Sequence, residues 1–408
     1  MKKDKENIVV IYGSGASYAS GYKVKVKEQQ KKRFFQQSIN PPTDQDFFKI
    51  INDDYLEEEY PALYMFKKEY FGSNCKVGME EVWTAIDLNH KHISLGTYHW
   101  TVETNKYNTT KYPDMDLDKA YTSKMGMTDT SPQYNKYKFL GDCGRDFRKL
   151  IYNVYSDFEL SDKQNCYKQL HKSISDSKYN FIGYITFNYD CYLEYSLKAT
   201  KFKYIHTNSD TQNLNMIRYG GIPIIKLHGS LSWEEKLNGL YYRPEQHAPP
   251  FTKASQKEPS YENDLKWTQP AIIPPTIFKQ EINDDSRTQH PLTQMILQQW
   301  RTAIIMLREA NKLIFVGYSF PISDFHSKRI FQIANMIRRE ELNKKMADIL
   351  YCVGPNKTAH YKNECKDKVA DIFGSESNID IIFGFDNLLK SKELEEFLSI
   401  KCNEDITI

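Results

Sequence analysis

The feature that most narrows the fold lies at the start of the chain, where residues 7–12 read NIVVIY and break at once into Gly13-Ser14-Gly15-Ala16-Ser17. An apolar, β-branched run of that length without polar alternation suits a strand covered on both faces, and the glycines mark a tight turn out of it. Nucleotide-binding sheets begin this way. A glycine pair lets the backbone approach a pyrophosphate, and the N–H groups of the next helix favour its charge. GSGAS alone does not decide the matter, because the third glycine of a GxGxxG fingerprint is missing and Gly-x-Gly also serves purely steric turns.

Four later segments repeat the arrangement. Residues 181–187 (FIGYITF) lead into Asn188-Tyr189-Asp190, and residues 223–227 (PIIKL) lead into His228-Gly229-Ser230. Residues 313–316 (LIFV) lead into a turn running from Gly317, Tyr318 and Ser319 to Asp324, and residues 349–353 (ILYCV) lead into Gly354-Pro355-Asn356. A further strand-like run covers 271–273, and helical periodicity covers 293–310, 324–339 and 358–373. Strand and helix alternate, which predicts an α/β fold: a Rossmann-like parallel sheet flanked by helices. The five polar turns then line one edge of that sheet, where open α/β sheets bind ligands. Each turn also has a structural reading. Asn188 or Asp190 can cap the helix CYLEYSLKA, and for Asp190 capping comes first. His228 is either a structural histidine or a general base beside a glycine that leaves room for a substrate.

Residues 41–177 are mostly helical, with amphipathic stretches over 44–70 and 79–93 and a polar region over 101–137, and they are expected to form an insertion or second domain. Residues 1–40 plus 178–408 then carry the sheet. The basic, Gln-rich segment 21–40 reads as a solvated arm or helix face closed by Pro41-Pro42, and 238–270 reads as a long loop excursion. Hydrophobic residues at 40% exclude a mainly disordered chain, and 55 Lys and Arg against 53 Asp and Glu leave no global field for a polyanion, so direct nucleic-acid binding is not expected. Seven cysteines without CxxC spacing suggest buried, inert thiols and no metal site. The most apolar stretch, 313–322, is about half of the ~20 residues a membrane helix needs, and no cleavable apolar leader opens the chain, so the expected location is cytoplasmic, without membrane contact.

With these residues in order, the chain resembles the sirtuin-like superfamily, in particular divergent bacterial sirtuin-like domains akin to antiphage NAD+ hydrolases. GSGAS with Gly21 is similar to the family's phosphate loop, which implies Gly13, Gly15, Ala16 and Ser17 around the NAD phosphates. TFNYD resembles its TQNxD motif, implying that Asn188 positions the nicotinamide ribose and the attacking water, with Asp190 beside it. KLHGS resembles its His-Gly motif, making His228 the implied base and Gly229 its neighbour at the cofactor. GYSF resembles its GTS-type turn, implying adenosine contacts at Gly317 and Ser319, and Asn356 corresponds to a later adenosine contact. The implied activity is cleavage of NAD+, as substrate, to nicotinamide and ADP-ribose in antiphage defence. Alternatives are a non-catalytic NAD+ or ADP-ribose-sensing subunit and an ADP-ribosyltransferase or deacylase. Residues 234–348 contain no cysteine and the family's IPxFR segment is absent, so no zinc is expected and deacylation is disfavoured. The resemblance further implies a homo-oligomer gated by assembly or by a separate partner, a HerA-type ATPase or an Argonaute-like protein, with 41–177 as the contact surface.

Overall fold

The computed structural model describes residues 6–30, 33–72, 76–96, 132–160, 165–198, 204–205, 222–236, 239–242, 268–272, 291–321, 324–354, 358–374 and 377–399. The chain divides into two compact units, one of Met1–Lys23, Phe158–Ile273 and Gln280–Ile408, the other of Val24–Asp157 and Pro274–Lys279.

In the first unit, β1 (Asn7–Tyr12) enters α1 (Ser14–Tyr18) through Gly13. The other unit holds β2 (Tyr22–Gln30, from Val24 onward) and β3 (Arg33–Ile39), a 3-10 helix (Asp44–Ile50), α2 (Asp53–Glu59), α3 (Pro61–Phe71), α4 (Met79–Gly96) and α5 (Pro132–Ser156). The chain then returns to the first unit with β4 (Phe158–Leu160), α6 (Cys166–Ser175), β5 (Asn180–Thr186), α7 (Tyr192–Lys198), β6 (Tyr204–Ile205), β7 (Ile222–Lys226), β8 (Gly229–Lys236), β9 (Gly239–Tyr242) and β10 (Thr268–Ile272). It closes with α8 (Pro291–Glu309), β11 (Lys312–Val316), α9 (Phe325–Glu340), β12 (Asp348–Val353), α10 (Ala359–Phe373), β13 (Ile379–Phe383), α11 (Phe385–Leu389) and α12 (Lys392–Leu398).

Seven of these strands form one sheet in the order β13-β12-β11-β1-β5-β7-β6, with parallel pairing throughout. The expected α/β class and Rossmann-like sheet are therefore present. β1 is central, pairing Val10 with Ile314 of β11 on one side and with Tyr184 of β5 on the other. Strands buried on both faces must be apolar at every position, which is why these five runs show no alternation. One face carries Val9, Ile11, Ile185, Ile225, Phe315, Ile349 and Tyr351, packed with Ala303 and Met306 of α8, Phe331 of α9 and Val369 and Phe373 of α10. Each buried Val, Ile, Phe or Met side chain among them contributes about 1.5–3 kcal/mol relative to exposure.

Three expectations change. Residues 271–273 were to be another run of the parallel sheet. Ala271 and Ile272 instead belong to β10, antiparallel to β8 in a separate sheet ordered β10-β8-β9, with a register shift between Pro270 and Ala271. Proline lacks the N–H of a central strand and is confined to edges and bulges, and Pro270 stands at the bulge. The basic segment 21–40 is neither arm nor helix face but an antiparallel hairpin of β2 with β3, Val24 opposite Ile39 and Gln30 opposite Arg33. Tyr22 and Val24 are buried while Lys23 and Lys25 are half-buried, a period-two pattern that a helix cannot use. The helical stretch expected over 44–70 is broken into the 3-10 helix, α2 and α3, with Asn52 capping α2 by accepting from Asp54 N at 2.7 Å and Pro61 opening α3. Phe47, Phe66, Trp83, Phe147 and Ile151 are buried in that second unit. The polar region 101–137 and the loop 238–270 lie largely outside the described residues.

Candidate functional site

The carboxyl ends of β1, β5, β7 and β11 come together in the first unit, at the point where the strand order reverses about β1. The glycine turns of β1 and β11 pack backbone to backbone. Gly13 N donates to Val316 O and Gly15 N to Gly317 O, each at 3.0 Å, and Gly317 N donates to Cys352 O at 2.9 Å. A Cβ on Gly317 would stand 2.2 Å from Ala16 N, and its φ of +66° is one that side chains disfavour, so no larger residue fits. Gly13, Ala16 and Ser17 are buried, Gly15 and Gly317 half-buried and Ser319 exposed.

Asn188, directly beyond β5, reaches across to the β1 turn. Its Nδ2 donates to Gly13 O at 3.0 Å and to Ser17 Oγ at 2.8 Å. The carbonyl of Gly13 can only accept, which fixes the amide's orientation and leaves Oδ1 as its remaining acceptor. Ser17 Oγ donates to Asp190 Oδ2 at 2.6 Å and lies 3.0 Å from Tyr167 OH on α6, so hydroxyl, amide and carboxylate form one buried network. Asp190 Oδ1 accepts from Tyr192 N at 3.1 Å at the start of α7, so Asp190 both caps and joins the network. Burial pushes its carboxyl up to about 6, against the pull of Lys226, the Ser17 hydroxyl and the Tyr192 N–H.

Beneath this network Lys226, the last residue of β7, pairs with Glu194 of α7 at 3.0 Å, with side-chain exposures of 1% and 3%. Lys226 Nζ also donates to the backbone oxygen of Asp190, which ties the end of β7 to the turn after β5. Burial opposes the charge on Lys226, but Glu194, Cys191 and Asp190 outweigh it and the net direction is upward.

His228 belongs to a second group of side chains. Its ring packs edge-on against Phe187 with centroids 5.3 Å apart, its Nε2 lies 3.4 Å from Asp324 Oδ1, and its side chain is 13% exposed. Asp324 Oδ1 accepts from Ser327 Oγ at 2.6 Å and its Oδ2 from Tyr318 OH at 2.7 Å. Tyr318 in turn stacks on Phe187 at 3.9 Å and 9°. The side chains of Phe187 and Asn188 therefore serve the two groups separately, Phe187 facing His228 and Asn188 facing Gly13. Gly229, where room for a substrate was expected, has its space taken by β10: a Cβ there would stand 2.4 Å from Ala271 O. Asn356 lies outside the described residues.

Nothing in the sequence pattern gives a role to Tyr167, Lys226 or Glu194, and Tyr318 and Asp324 stand in it only as parts of a strand-end turn. Lys226 was legible as a charge inside an apolar strand. Tyr167 carried no signal, because helix periodicity gives a tyrosine no polar partner. Among the described residues no group of three or more His, Cys, Asp or Glu side chains is gathered for a metal. Cys143, Cys166, Cys191, Cys352 and Cys365 are buried free thiols, and burial raises Cys191 and Cys352 to about 12, which makes them poor nucleophiles. No helix among the described residues is long and apolar enough to cross a membrane.

Fold and site together define a Rossmann-like α/β unit with a polar cluster at the switch point of its sheet. Residues 182–382 match the family model described as a SIR2-like domain, which supports a sirtuin-like domain in this chain and is compatible with NAD-dependent activity. The matched span includes Asn188, His228 and Gly317 and leaves the Gly13–Ser17 turn outside it. No curated protein matches the chain.

Proposed function

We propose that this chain is an NAD+ hydrolase that cleaves the nicotinamide–ribose bond. The observation that carries the reading is the Asn188 amide bonded to Gly13 and Ser17 at the shared carboxyl edge of β1 and β5, with His228 at the neighbouring end of β7. Cleavage passes through an oxocarbenium-like state and needs a fixed ribose, a sheltered leaving group and a poised nucleophile. With both amide hydrogens engaged, Asn188 acts through Oδ1, accepting a hydrogen bond from the attacking water or a ribose hydroxyl and so orienting it at C1. His228 accepts the proton that this hydroxyl or water gives up. Gly13, Gly15, Ala16 and Ser17 would flank the phosphates, and Gly317 with Ser319 the adenosine.

The test is nicotinamide release from NAD+ by the purified full chain, followed by chromatography, for the parent and for Asn188→Ala and His228→Ala. A loss of about 10²–10⁴-fold in either variant is expected. Unchanged turnover in either variant, beside an active parent, would refute the assignment.

One observation favours a second reading, a non-catalytic NAD+ or ADP-ribose sensor: the side chains of Asn188 and His228 fall in two separate groups, Asn188 bonded to Gly13 and Ser17 and His228 set beside Phe187 and Asp324. Calorimetric binding of NAD+ without nicotinamide release selects it. We further propose that the activity serves antiphage defence by depleting NAD+ in the cytoplasm. Because an ungated hydrolase would exhaust a shared cofactor, it is held in check by homo-oligomer assembly or by a HerA-type or Argonaute-like partner docking on 41–177. Deleting that segment should then change the oligomeric mass seen by light scattering.

A further inference from the structure

We propose that Tyr167 is a positioning residue for Asn188: its hydroxyl donates to Ser17 Oγ, so that Ser17 and Gly13 both face the Asn188 amide nitrogen as acceptors and the amide cannot turn over. The inference rests on Asn188 orienting the nucleophile in the proposed reaction. Tyr167 stands in the first turn of α6, outside the span that matches the family model. That turn is fixed at both sides of the tyrosine. Asn165 caps the helix by accepting from Lys168 N at 3.0 Å, and Cys166 N donates to Ser20 O, just beyond α1, at 3.1 Å. The tyrosine ring is buried edge-on against Tyr12, centroids 4.8 Å apart, and against Phe385 at 6.1 Å, and its hydroxyl reaches to 3.0 Å from Ser17 Oγ.

Hydrogen counting gives that bond its direction. Ser17 has one hydroxyl hydrogen, and it goes to Asp190 Oδ2 at 2.6 Å, because an ionised carboxylate only accepts. The hydrogen between Ser17 and Tyr167 therefore belongs to the tyrosine. Burial raises the Tyr167 hydroxyl well above its ordinary pKa and the Asp190 charge adds to the rise, so the hydrogen stays in place. Ser17 Oγ keeps two lone pairs, and one takes the Tyr167 hydrogen while the other takes the Asn188 Nδ2–H at 2.8 Å. Gly13 O, the second partner of Nδ2 at 3.0 Å, accepts by nature. A reversed amide would set Oδ1 against two oxygens that offer it no hydrogen. Without the tyrosine hydroxyl only the Asp190 carboxylate steers Ser17, and a serine hydrogen that swings toward Asn188 supports the reversed amide.

The experiment compares the parent with Tyr167→Phe, which keeps the ring and loses the hydroxyl. In the full chain labelled with 15N-asparagine, without NAD+, the Asn188 side-chain amide signals are assigned by their loss in Asn188→Ala. Hydrogen exchange at that amide should quicken by about 3- to 10-fold in Tyr167→Phe, the loss of one buried hydrogen bond, at an unchanged urea midpoint. A folded Tyr167→Phe whose Asn188 amide signals and exchange match the parent's overturns the proposal. Should the variant not fold, the Tyr167 hydroxyl hydrogen in the parent decides: a nuclear Overhauser effect to the β-hydrogens of Ser17 supports the proposal, and one to Tyr12 alone overturns it. Where the parent releases nicotinamide, kcat should fall by the same factor in Tyr167→Phe with KM for NAD+ unchanged, and an unchanged kcat overturns the positioning role. Because the amide is read without turnover, absence of nicotinamide release in the parent would sink the hydrolase reading and leave this measurement to stand separately.

Discussion

Asn188 shows how one side chain can build a site and hold a fold together. Its two amide hydrogens join the ends of β1 and β5, and only its oxygen is left for chemistry. The same economy governs Gly13 and Gly317, whose turns approach so closely that a Cβ on Gly13 would stand 2.6 Å from Gly317 O. Gly317→Ala is therefore expected to destabilise the chain by about 2 kcal/mol or more, through the clash with Ala16 N and the positive φ together. Gly354→Ala, which meets nothing within 4 Å, should lie within about 0.5 kcal/mol of the parent. Thermal unfolding of the two variants checks the pair, and equal losses would show that the close approach is not what fixes these turns. Most of this cluster was legible as sequence because strand-end polar turns name their own residues. The division of labour was not, since which neighbour of a turn faces His228 and which faces Gly13 depends on strands far apart in the chain.

At the scale of elements, β1, β5, β7, β11 and β12 could be read to within a residue or two, because strands covered on both faces must be apolar at every position. β13 escaped notice for the complementary reason. It is an edge strand, IDIIF, with exposed Asp380 interrupting the run. β10 was misplaced because an apolar run of three says nothing of which sheet receives it, and the hairpin of β2 and β3 was missed because charge content hid its alternation. The tie between β7 and α7 was legible in Lys226 alone and lacked its partner until Glu194 was placed beside it. Breaking a buried ion pair leaves an uncompensated charge, so Lys226→Met should cost about 3–5 kcal/mol in urea unfolding. The double variant Lys226→Met with Glu194→Leu should recover most of that loss, because two well-packed apolar groups replace the pair. Additive losses would mean that the pair acts through something other than its charge.

For the whole molecule, two buried groups on and against one strand set opposing responses to pH. Asp190, just beyond β5, is raised by burial to about 6, so the folded state holds its proton longer than the unfolded chain does; this contribution is present below the unfolded value of 3.8 and is lost as pH rises through about 6. His171 on α6 touches Tyr184 of β5 and is lowered by burial to about 4. Its contribution has the other sign: it is present above the unfolded value of 6.5 and is lost as pH falls through about 4. Each window is worth about 3 kcal/mol, and between about pH 4 and 6 they oppose one another, so the parent hides both. Asp190→Asn removes one. Its stability relative to the parent should rise by up to ~3 kcal/mol between pH 4 and 7, while that of His171→Gln should fall over the same range by a similar amount. Urea midpoints at pH 4.5, 5.5 and 7 read both differences, and a flat difference in either variant would mean that the group titrates in the folded chain as it does in the unfolded one. The sheet edge that binds Asn188 to Gly13 thus carries a carboxyl held near neutrality, and its protonation between pH 5 and 7 links the site's hydrogen-bond network to the stability of the unit that contains it.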